Sequence, residues 1–468
     1  MTTDQALLES DEATSPDGRH FRFKVANAYA FPAGQFVSLR DSGGEIRLGQ
    51  IEQYEVDQQG VLTATGRIHA TVDQAGRLSN RATAFTSAAV ARADSELVET
   101  LNGTLRAVLE VGQLTTVPGA KAGLMPHRFN RHTFWCGQSG SGKTYALGVL
   151  LEELLLHTKL PMIIFDPNAD FVRLNEVRDD AEPAAAEALA RRDLRILRPG
   201  DQADENPRVR FTALGLTAKA AVFRLDPLID RVEYNTLLHL EEVLSTREIG
   251  SILPELRASN DPALINFALR LENLGLLSWD IWAGAKRSAT EIIDSGPAAT
   301  VLDLGGFKFK EEPLVVALSV LDDLWSRRSE RRPFLLVIDE AHNLCSPDVE
   351  TALERAVLDR IIQIAAEGRK YGLWLLLSTQ RPSRVHQGII SQCDNLALMR
   401  MSSQRDLEEL ATIFGFAPSA LLNQSPLFRQ GEALFAGGFV PAPSTVQGRQ
   451  RFTHEGGRDV SVPLPTAT

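Results

Sequence analysis

The sequence contains little cysteine and no long apolar run. Its 468 residues include only three cysteines, Cys136, Cys345 and Cys393, which lie far apart in the chain. An odd number of scattered cysteines argues against a disulfide framework and favours a reducing, cytoplasmic location. No apolar run approaches the roughly 20 residues of a membrane-spanning helix, so no membrane partner is expected. The polar and acidic residues 1–19 do not resemble a secretory signal.

Positive charge is also scarce. The chain has 49 lysines and arginines against 60 aspartates and glutamates, which gives a formal net charge of −11. This balance argues against a protein that coats nucleic acid with its whole surface. It does not exclude DNA held by a few basic loops inside a ring, because the local potential decides that contact. The hydrophobic content of 44% is ordinary for a globular protein. The length predicts about two or three domains.

A glycine-rich segment, Gly137–Thr144, is the most informative feature that is present. It fits the phosphate-binding pattern G-x-x-x-x-G-K-[ST] at every fixed position, between an apolar strand over 133–136 and a helix over 145–157. Glycines let backbone N–H groups face phosphate oxygens, Lys143 supplies charge for the β- and γ-phosphates, and Thr144 can bind Mg²⁺. The residues predicted to bind ATP here are Gly137, Gln138, Ser139, Gly140, Ser141, Gly142, Lys143, Thr144 and Tyr145. The alternative, a chance Gly/Ser-rich turn, is disfavoured by the strand–loop–helix context.

A second motif ends a strongly apolar run. Residues Pro333–Ile338 predict a strand buried on both faces, and Asp339 and Glu340 follow it at the end where α/β proteins place ligand sites. With the phosphate loop upstream, Asp339 is expected to hold Mg²⁺ and Glu340 to polarise the attacking water. Hydrolysis needs both roles, because a metal offsets phosphate charge while a carboxylate orients the nucleophile. The alternative is a hydrophobic strand followed by ordinary surface acids.

The remaining patterns divide the chain into segments. Short strands joined by turns, such as Gln35–Arg40 and Glu45–Ile51 around Asp41–Gly44, predict a β-barrel. Helical spacing without strand alternation predicts a helical insertion inside an α/β core. The predicted segments are a disordered tail (1–19), an N-terminal barrel (20–110), a first core part (125–215), the helical insertion (216–297), a second core part (298–440) and a C-terminal tail (441–468). The expected fold class is α/β with an N-terminal β-barrel.

The order of the motifs resembles the HerA branch of the HerA/FtsK superfamily of ring-shaped, DNA-translocating ATPases. The matching residues are Gly137–Thr144, Phe165–Phe171, Ile338–His342, Glu367–Gly372 and Ser378–Pro382. The resemblance covers nearly the whole chain from the predicted barrel onwards. It implies a RecA-like P-loop core and a barrel similar to the HAS-barrel. It also implies a homohexameric ring that acts on double-stranded DNA, with a separately encoded nuclease or other effector docked on the barrel.

Further residues have predicted roles, each with a simpler alternative. The Gln380 amide, at the end of a predicted core strand, is expected to sense the γ-phosphate or the attacking water; the alternative is a strand cap. The resemblance implies that Arg369 is an arginine finger for a neighbouring subunit's ATP; the alternative is an arginine that balances a helix dipole. It also places Arg131 near the subunit boundary and the nucleotide, although solvated arginines at strand ends are common. Asp170 either faces the nucleotide or caps a following helix.

These features together predict a hexameric, Mg²⁺-dependent ATPase that translocates along or unwinds double-stranded DNA. Its partner would be a separately encoded nuclease or other effector, in DNA-end processing or anti-phage defence. The alternative is an ATP-bound ring scaffold that assembles and activates an effector enzyme, with translocation minor. A secretion or conjugation ATPase of the same superfamily would be expected to carry a membrane segment. The basic run Arg327–Arg332 is expected to be a solvated loop and not a DNA site.

Overall fold

The chain forms two compact units. The first comprises Met1–Thr158, Gln380–Ser383 and Cys393–Arg451, and the second comprises Lys159–Thr379, Arg384–Gln392 and Phe452–Thr468. The computed structural model describes residues 12–25, 31–56, 58, 60–73, 77–200, 205–240 and 249–457. Parts of the predicted tails (1–11 and 458–468) and of the predicted helical insertion (241–248) lie outside the described residues.

The first unit begins with a small antiparallel barrel. Its strands are β1 (Ala13–Ser15), β2 (His20–Lys24), β3 (Phe36–Asp41), β4 (Ile46–Val56), β5 (Leu62–Val72), β6 (Leu78–Ser79) and β7 (Phe85–Arg92). They pair in the order β2-β1-β7-β3-β4-β5, and β5 pairs again with β2, so six strands close while β6 adds only to β5. Alternation drives this closure: Phe21 and Phe23 of β2 are buried between exposed neighbours. The predicted N-terminal barrel is confirmed.

The rest of the chain alternates helices and strands, as predicted for an α/β protein. In chain order the elements are α1 (Ser95–Leu105), β8 (Leu109–Leu114), β9 (Lys121–Leu124), β10 (His132–Cys136), α2 (Lys143–His157), β11 (Met162–Asp166), α3 (Pro183–Ala190), β12 (Leu194–Leu197), α4 (Leu216–Val222), α5 (Arg231–Leu238), α6 (Ile249–Ala258), α7 (Pro262–Asn273), α8 (Ala289–Asp294), β13 (Ala299–Asp303), α9 (Glu312–Ser326), β14 (Phe334–Ile338), α10 (Ala352–Glu367), β15 (Leu373–Thr379), α11 (Gln387–Ile390), β16 (Cys393–Met399), α12 (Gln404–Ile413), α13 (Ser419–Leu422), β17 (Glu432–Gly437) and β18 (Ser444–Gly448). Among the described residues, no helix combines the length and the apolar character that crossing a membrane requires.

The second unit is built on a parallel sheet with strand order β12-β13-β11-β14-β15. Every residue of β11, β13 and β14 is buried, as expected for a parallel sheet covered on both faces. Phe165 of β11 is the register partner of Ile338 of β14. Because parallel strands end at the same edge, the residues that follow, Asp166 and Asp339, emerge side by side. The segment 216–297 contains α4 to α8, and α7 packs against both α5 and α6.

In the first unit, β10 pairs in parallel with β16, and the sheet continues antiparallel through β17, β18, β8 and β9. The predicted disordered tail is wrong at its end, because β1 lies within 1–19 and buries Ala13 between β2 and β7. The predicted C-terminal tail is wrong at its start, because β18 lies within 441–468 and joins β17 to β8. The predicted barrel segment 20–110 also contains α1. The strands β1 and β18 are too polar or too short to be recognised from the sequence without the strands with which they pair.

The residues after β18 are held against α2 by a buried arginine. Gly148 lies within α2, and a Cβ built on it would come within 2.4 Å of Arg451 Cζ, so the glycine makes room for the guanidinium. The Arg451 backbone N–H donates to the Tyr145 hydroxyl over 2.8 Å. Arg451 Nε lies 3.5 Å from the Glu152 carboxylate, and both side chains of this pair are fully buried.

Arg449 extends this contact to a second carboxylate of α2. It lies 3.2 Å from Glu152 and 2.7 Å from Glu153, and Glu153 also accepts the Glu110 backbone N–H over 2.8 Å. Burial raises the pKa of Glu153, while Arg449 opposes that rise. Removing one partner from such a buried group leaves an uncompensated charge, so the network holds α2 in one orientation.

The change Gly148→Ala should destabilise the protein by about 1–3 kcal/mol, because Arg451 cannot keep its place beside an added methyl group. The measurement is the shift in the midpoint of urea-induced unfolding. Gly103 in the exposed part of α1 is the matched control, since a Cβ there would meet nothing within 4 Å. Gly103→Ala should be neutral or stabilise by up to about 1 kcal/mol. Equal midpoints for the two variants would contradict the role assigned to Gly148.

Candidate nucleotide site

The predicted phosphate loop connects β10 to α2 in the first unit, and its backbone requires glycine. Gly140 and Gly142 have φ angles of 72° and 88°, in the left-handed region that other residues rarely adopt. Gly137 is needed for a different reason: a Cβ there would lie 2.7 Å from Met399 Cβ on the adjacent strand β16. The three glycines of the motif are therefore explained by conformation and close packing.

The carbonyl oxygens of Gly140, Ser141 and Gly142 are bonded to groups outside the loop, while the Gln138 carbonyl accepts the Ser141 N–H within it. The Gly140 carbonyl accepts from Arg400 Nη2 over 3.3 Å, and the Ser141 carbonyl accepts from the Gly431 N–H over 2.9 Å. The Gly142 carbonyl accepts from the Ala146 N–H in the first turn of α2. A phosphate-binding loop needs this arrangement, because its N–H groups can face an anion only when its carbonyls face away.

Gln138 adds two contacts that fix the start of the loop. Its backbone N–H donates to the Arg400 carbonyl over 2.9 Å, and its side-chain oxygen accepts from the Ser402 N–H over 3.0 Å. Sequence reasoning missed Arg400. Its only signal is its position directly after β16, the strand that pairs with β10.

The side chains of the loop differ in accessibility. Lys143 is the first residue of α2 and only 4% exposed, while Thr144 and Tyr145 are half-buried. The Tyr145 hydroxyl is already used by the Arg451 N–H. The Ser141 hydroxyl is buried and has no hydrogen-bond partner among the described residues. A phosphate oxygen in the loop would satisfy such a buried hydroxyl, and the positive N-terminal end of α2 favours an anion there.

In the second unit, Asp339 and Glu340 follow β14 and are almost fully buried. The Asp339 N–H donates to the Phe165 carbonyl, and its Oδ1 accepts from the Ser378 hydroxyl over 2.6 Å. Glu340 has φ 41° and ψ 52°, a left-handed conformation that costs a non-glycine residue free energy. Its side chain is thereby set by the turn that follows the strand and not by the strand itself.

Asp166, Asp170 and Asp339 form a carboxylate cluster, with one oxygen of each within 4.8 Å of the others. Asp166 also accepts the backbone N–H groups of Asp170 (3.0 Å) and Phe171 (2.8 Å). Burial raises the pKa of Asp166 to about 7, and the negative charges of Asp339 and Asp170 add to the rise that these N–H groups oppose. Hard oxygen ligands that repel one another fit Mg²⁺, which would relieve the repulsion. The helix-cap alternative for Asp170 is wrong, because the next described helix, α3, begins only at Pro183.

The other predicted site residues have these positions. Gln380 directly follows β15 and is half-buried. Arg369 lies in the 3₁₀ turn Gly368–Tyr371 after α10, also half-buried, a place that suits either predicted role. Arg131 directly precedes β10, is 44% exposed and lies 3.7 Å from Asp394 in an ion pair.

The basic run Arg327–Arg332 is engaged inside the second unit. Arg327 and Arg332 both pair with Asp294, at 2.5 and 2.8 Å. Arg328 stacks over the Trp325 ring, 4.7 Å from its centroid. These contacts tie three arginines of the run to the second unit.

Comparisons with known proteins relate the chain to one family. A family model described as the central domain of helicase HerA matches residues 109–317. A protein named DNA double-strand break repair helicase HerA, from Pyrococcus furiosus, is 20% identical over 94% of this chain and 93% of its own length. A probable helicase of Methanocaldococcus jannaschii is 22% identical over 79% of this chain and 72% of its own length.

Among solved structures, VirB4 of Thermoanaerobacter pseudethanolicus is similar with a TM-score of 0.49 and 15% identity, over 73% of this chain and 96% of that chain. The bacterial conjugative coupling protein TrwB is similar with a TM-score of 0.46 and 14% identity, over 76% of this chain and 92% of that chain.

The raised pKa of Asp166 predicts a specific pH dependence of stability in the metal-free protein. A carboxyl group whose pKa is higher in the folded than in the unfolded state stabilises the fold while it is protonated. This contribution is complete below the unfolded value of 3.8 and is lost as the pH rises through about 7. The stability of the parent relative to Asp166→Asn should therefore fall between these values, since asparagine does not titrate. Urea unfolding of both proteins across this range measures it, and parallel curves would contradict the assignment.

Proposed function

This chain belongs to the HerA branch of the HerA/FtsK superfamily of P-loop ATPases, and from that premise we propose that it is a Mg²⁺-dependent ATPase that translocates along or unwinds double-stranded DNA. The main support is the phosphate loop, with its outward carbonyls, required glycines and buried Lys143. The aspartate cluster and Glu340 of the second unit supply the chemistry that phosphate hydrolysis needs in addition. The relatives' names, which include DNA repair helicases, support DNA as the substrate.

The proposed roles divide between binding and chemistry. In the first unit, Lys143 neutralises the β- and γ-phosphates and Thr144 is a Mg²⁺ ligand. In the second unit, Asp339 is a Mg²⁺ ligand, with Asp166 and Asp170 beside it. A bound Mg²⁺ would offset phosphate charge. Glu340 orients and polarises the attacking water, and the Gln380 amide senses the γ-phosphate.

Lys143→Ala and Glu340→Gln should separate binding from turnover. Loss of the Lys143 charge removes a charge-assisted contact of about 1.5–3 kcal/mol, so ATP affinity should fall at least about tenfold. Glu340→Gln keeps the shape but removes the charge that activates water, so the hydrolysis rate should fall at least about 100-fold while affinity stays nearly unchanged. Fluorescent-nucleotide binding and steady-state phosphate release measure the two effects.

The same assays with and without duplex DNA test the function itself. We expect duplex DNA to raise the hydrolysis rate of the parent, and Arg405→Ala, a change on the exposed surface of α12, to respond as the parent does. ATP hydrolysis that ignores DNA would instead favour the ring scaffold. A Glu340→Gln protein that hydrolyses ATP at the parent rate would remove Glu340 from the mechanism.

We further propose that the chain forms a homohexameric ring in which Arg369 completes a neighbouring subunit's nucleotide site. Its position in the turn after α10 gives the guanidinium partial exposure at a helix end. A planar, delocalised charge suits the phosphate transition state. The proposal includes Arg131 near the same boundary, held by Asp394.

Arg369→Ala subunits should be inactive alone, yet regain part of the ATPase activity when mixed with Lys143→Ala subunits. Mixed rings then contain interfaces that pair an intact phosphate loop with an intact Arg369. The measurement is hydrolysis across a series of mixing ratios, with native mass spectrometry to establish that mixed rings form. If rings shown to be mixed recover no ATPase activity, Arg369 acts within one subunit or hydrolysis requires every site of the ring to be intact.

A separately encoded nuclease or other effector is the proposed partner, docked on the barrel, in DNA-end processing or anti-phage defence. The barrel carries none of the nucleotide-site residues. Its surface has a cavity of about 360 Å³, and the charged residues that line it are basic: Arg19, Arg67 and Arg81.

The double change Arg19→Glu and Arg81→Glu should weaken partner co-purification and leave DNA-stimulated hydrolysis unchanged. Lys24→Glu, on the barrel but outside this cavity, is the control, and equal partner recovery from all variants would contradict docking at this place.

A further inference from the structure

His342 has no role in the chemistry proposed above, yet it contacts Glu340, the residue proposed to activate water. The 3₁₀ turn Ala341–Asn343 follows Glu340, and the Asn343 N–H donates to the Glu340 carbonyl over 2.8 Å. This turn brings the imidazole back towards the carboxylate, so that His342 Nδ1 lies 3.3 Å from Glu340 Oε2. The same nitrogen lies 3.2 Å from Thr379 Oγ1, on the last residue of β15.

One ring nitrogen therefore meets two oxygens, and its proton decides what it does. With a proton, Nδ1–H donates to the Glu340 carboxylate, and the Thr379 oxygen can share the same hydrogen. Without it, the Nδ1 lone pair can accept only from the Thr379 hydroxyl and repels the carboxylate oxygen. Glu340 has a left-handed backbone, which offers its side chain no support from a regular helix or strand. With its hydrogen on Nδ1, His342 can therefore help to orient the Glu340 carboxylate.

We propose that His342 is a positioning residue that orients the Glu340 carboxylate through Nδ1–H. Its contact with the Thr379 hydroxyl links that carboxylate to the end of β15, directly before Gln380. This role rests on the proposed ATPase function. It adds a connection between the carboxylate that activates water and the strand end that leads to the proposed γ-phosphate sensor. A displacement of Glu340 or of Thr379 therefore moves the imidazole, and the imidazole in turn changes its contact with the other residue.

Three variants of the full-length protein test the role of Nδ1. His342→Ala removes both contacts. His342→Asn places an amide nitrogen as many bonds from Cα as Nδ1, and so keeps a donor at the right distance. His342→Gln is the matched control, because its amide nitrogen reaches the Nε2 position instead. All three are compared with the parent for kcat, KM, affinity for a non-hydrolysable ATP analogue and melting temperature, with Mg²⁺ and duplex DNA present.

We expect His342→Ala to lower kcat about 10- to 100-fold, as is usual for a partner that orients a functional side chain. Analogue affinity and melting temperature should stay near those of the parent, because the His342 imidazole acts through Glu340 and Thr379, which have no proposed role in nucleotide binding. His342→Asn should recover most of kcat and His342→Gln little of it. A kcat for His342→Ala within about twofold of the parent would overturn the proposal. Equal recovery by Asn and Gln, or a joint loss of kcat, affinity and melting temperature, would also overturn it.

The parent protein separates this inference from the function on which it rests. A parent that hydrolyses ATP while His342→Ala is unaffected overturns only the positioning role. A parent with no ATPase activity under any condition overturns the proposed function, and the positioning role fails with it.

Discussion

The outward-facing carbonyls of the phosphate loop are the constraint on which the first unit depends. A loop that presents N–H groups to an anion must find partners for its C=O groups elsewhere, since an unpaired buried carbonyl costs about as much as a lost hydrogen bond. Here the partners are the Arg400 guanidinium and the Gly431 N–H, which come from the ends of β16 and the approach to β17. The segment that joins β16 to β17 therefore does more than connect two strands of the sheet. It delivers the groups that shape the loop.

In the second unit the main constraint is the repulsion between carboxylates that lie close together. The register between β11 and β14 sets Asp166 beside Asp339 at the edge of a fully buried sheet. Backbone N–H groups and the Ser378 hydroxyl compensate part of that charge, while burial, with a smaller contribution from Asp339 and Asp170, raises the pKa of Asp166. The same edge carries the strained backbone of Glu340. Charge that the protein alone does not neutralise is a common property of sites that bind a cation together with phosphate.

The sequence predicted most of the strands and helices and the local motifs, but not the contacts between distant segments. Gly137–Thr144 and Asp339–Glu340 are visible because each motif is local, and β10, α2 and β14 lie close to where the sequence pattern predicts them. Arg400, Asp166 and His342 were missed as site residues because their importance comes from strand register or a turn that brings distant atoms together. The strands β1 and β18 were missed because a strand of a few residues has little pattern of its own and exists through its neighbours.

The late position of the loop's partners has a consequence for synthesis on the ribosome. The phosphate loop is complete as a peptide once about a third of the chain has been made, yet Arg400, Gly431 and Arg451 emerge much later. A nascent chain or a fragment truncated before Arg400 holds every residue of the nucleotide motif but lacks the contacts that fix its shape. The hydrogen bonds that fix the shape of the loop can therefore form only late in translation, when Arg400 and Gly431 have been added.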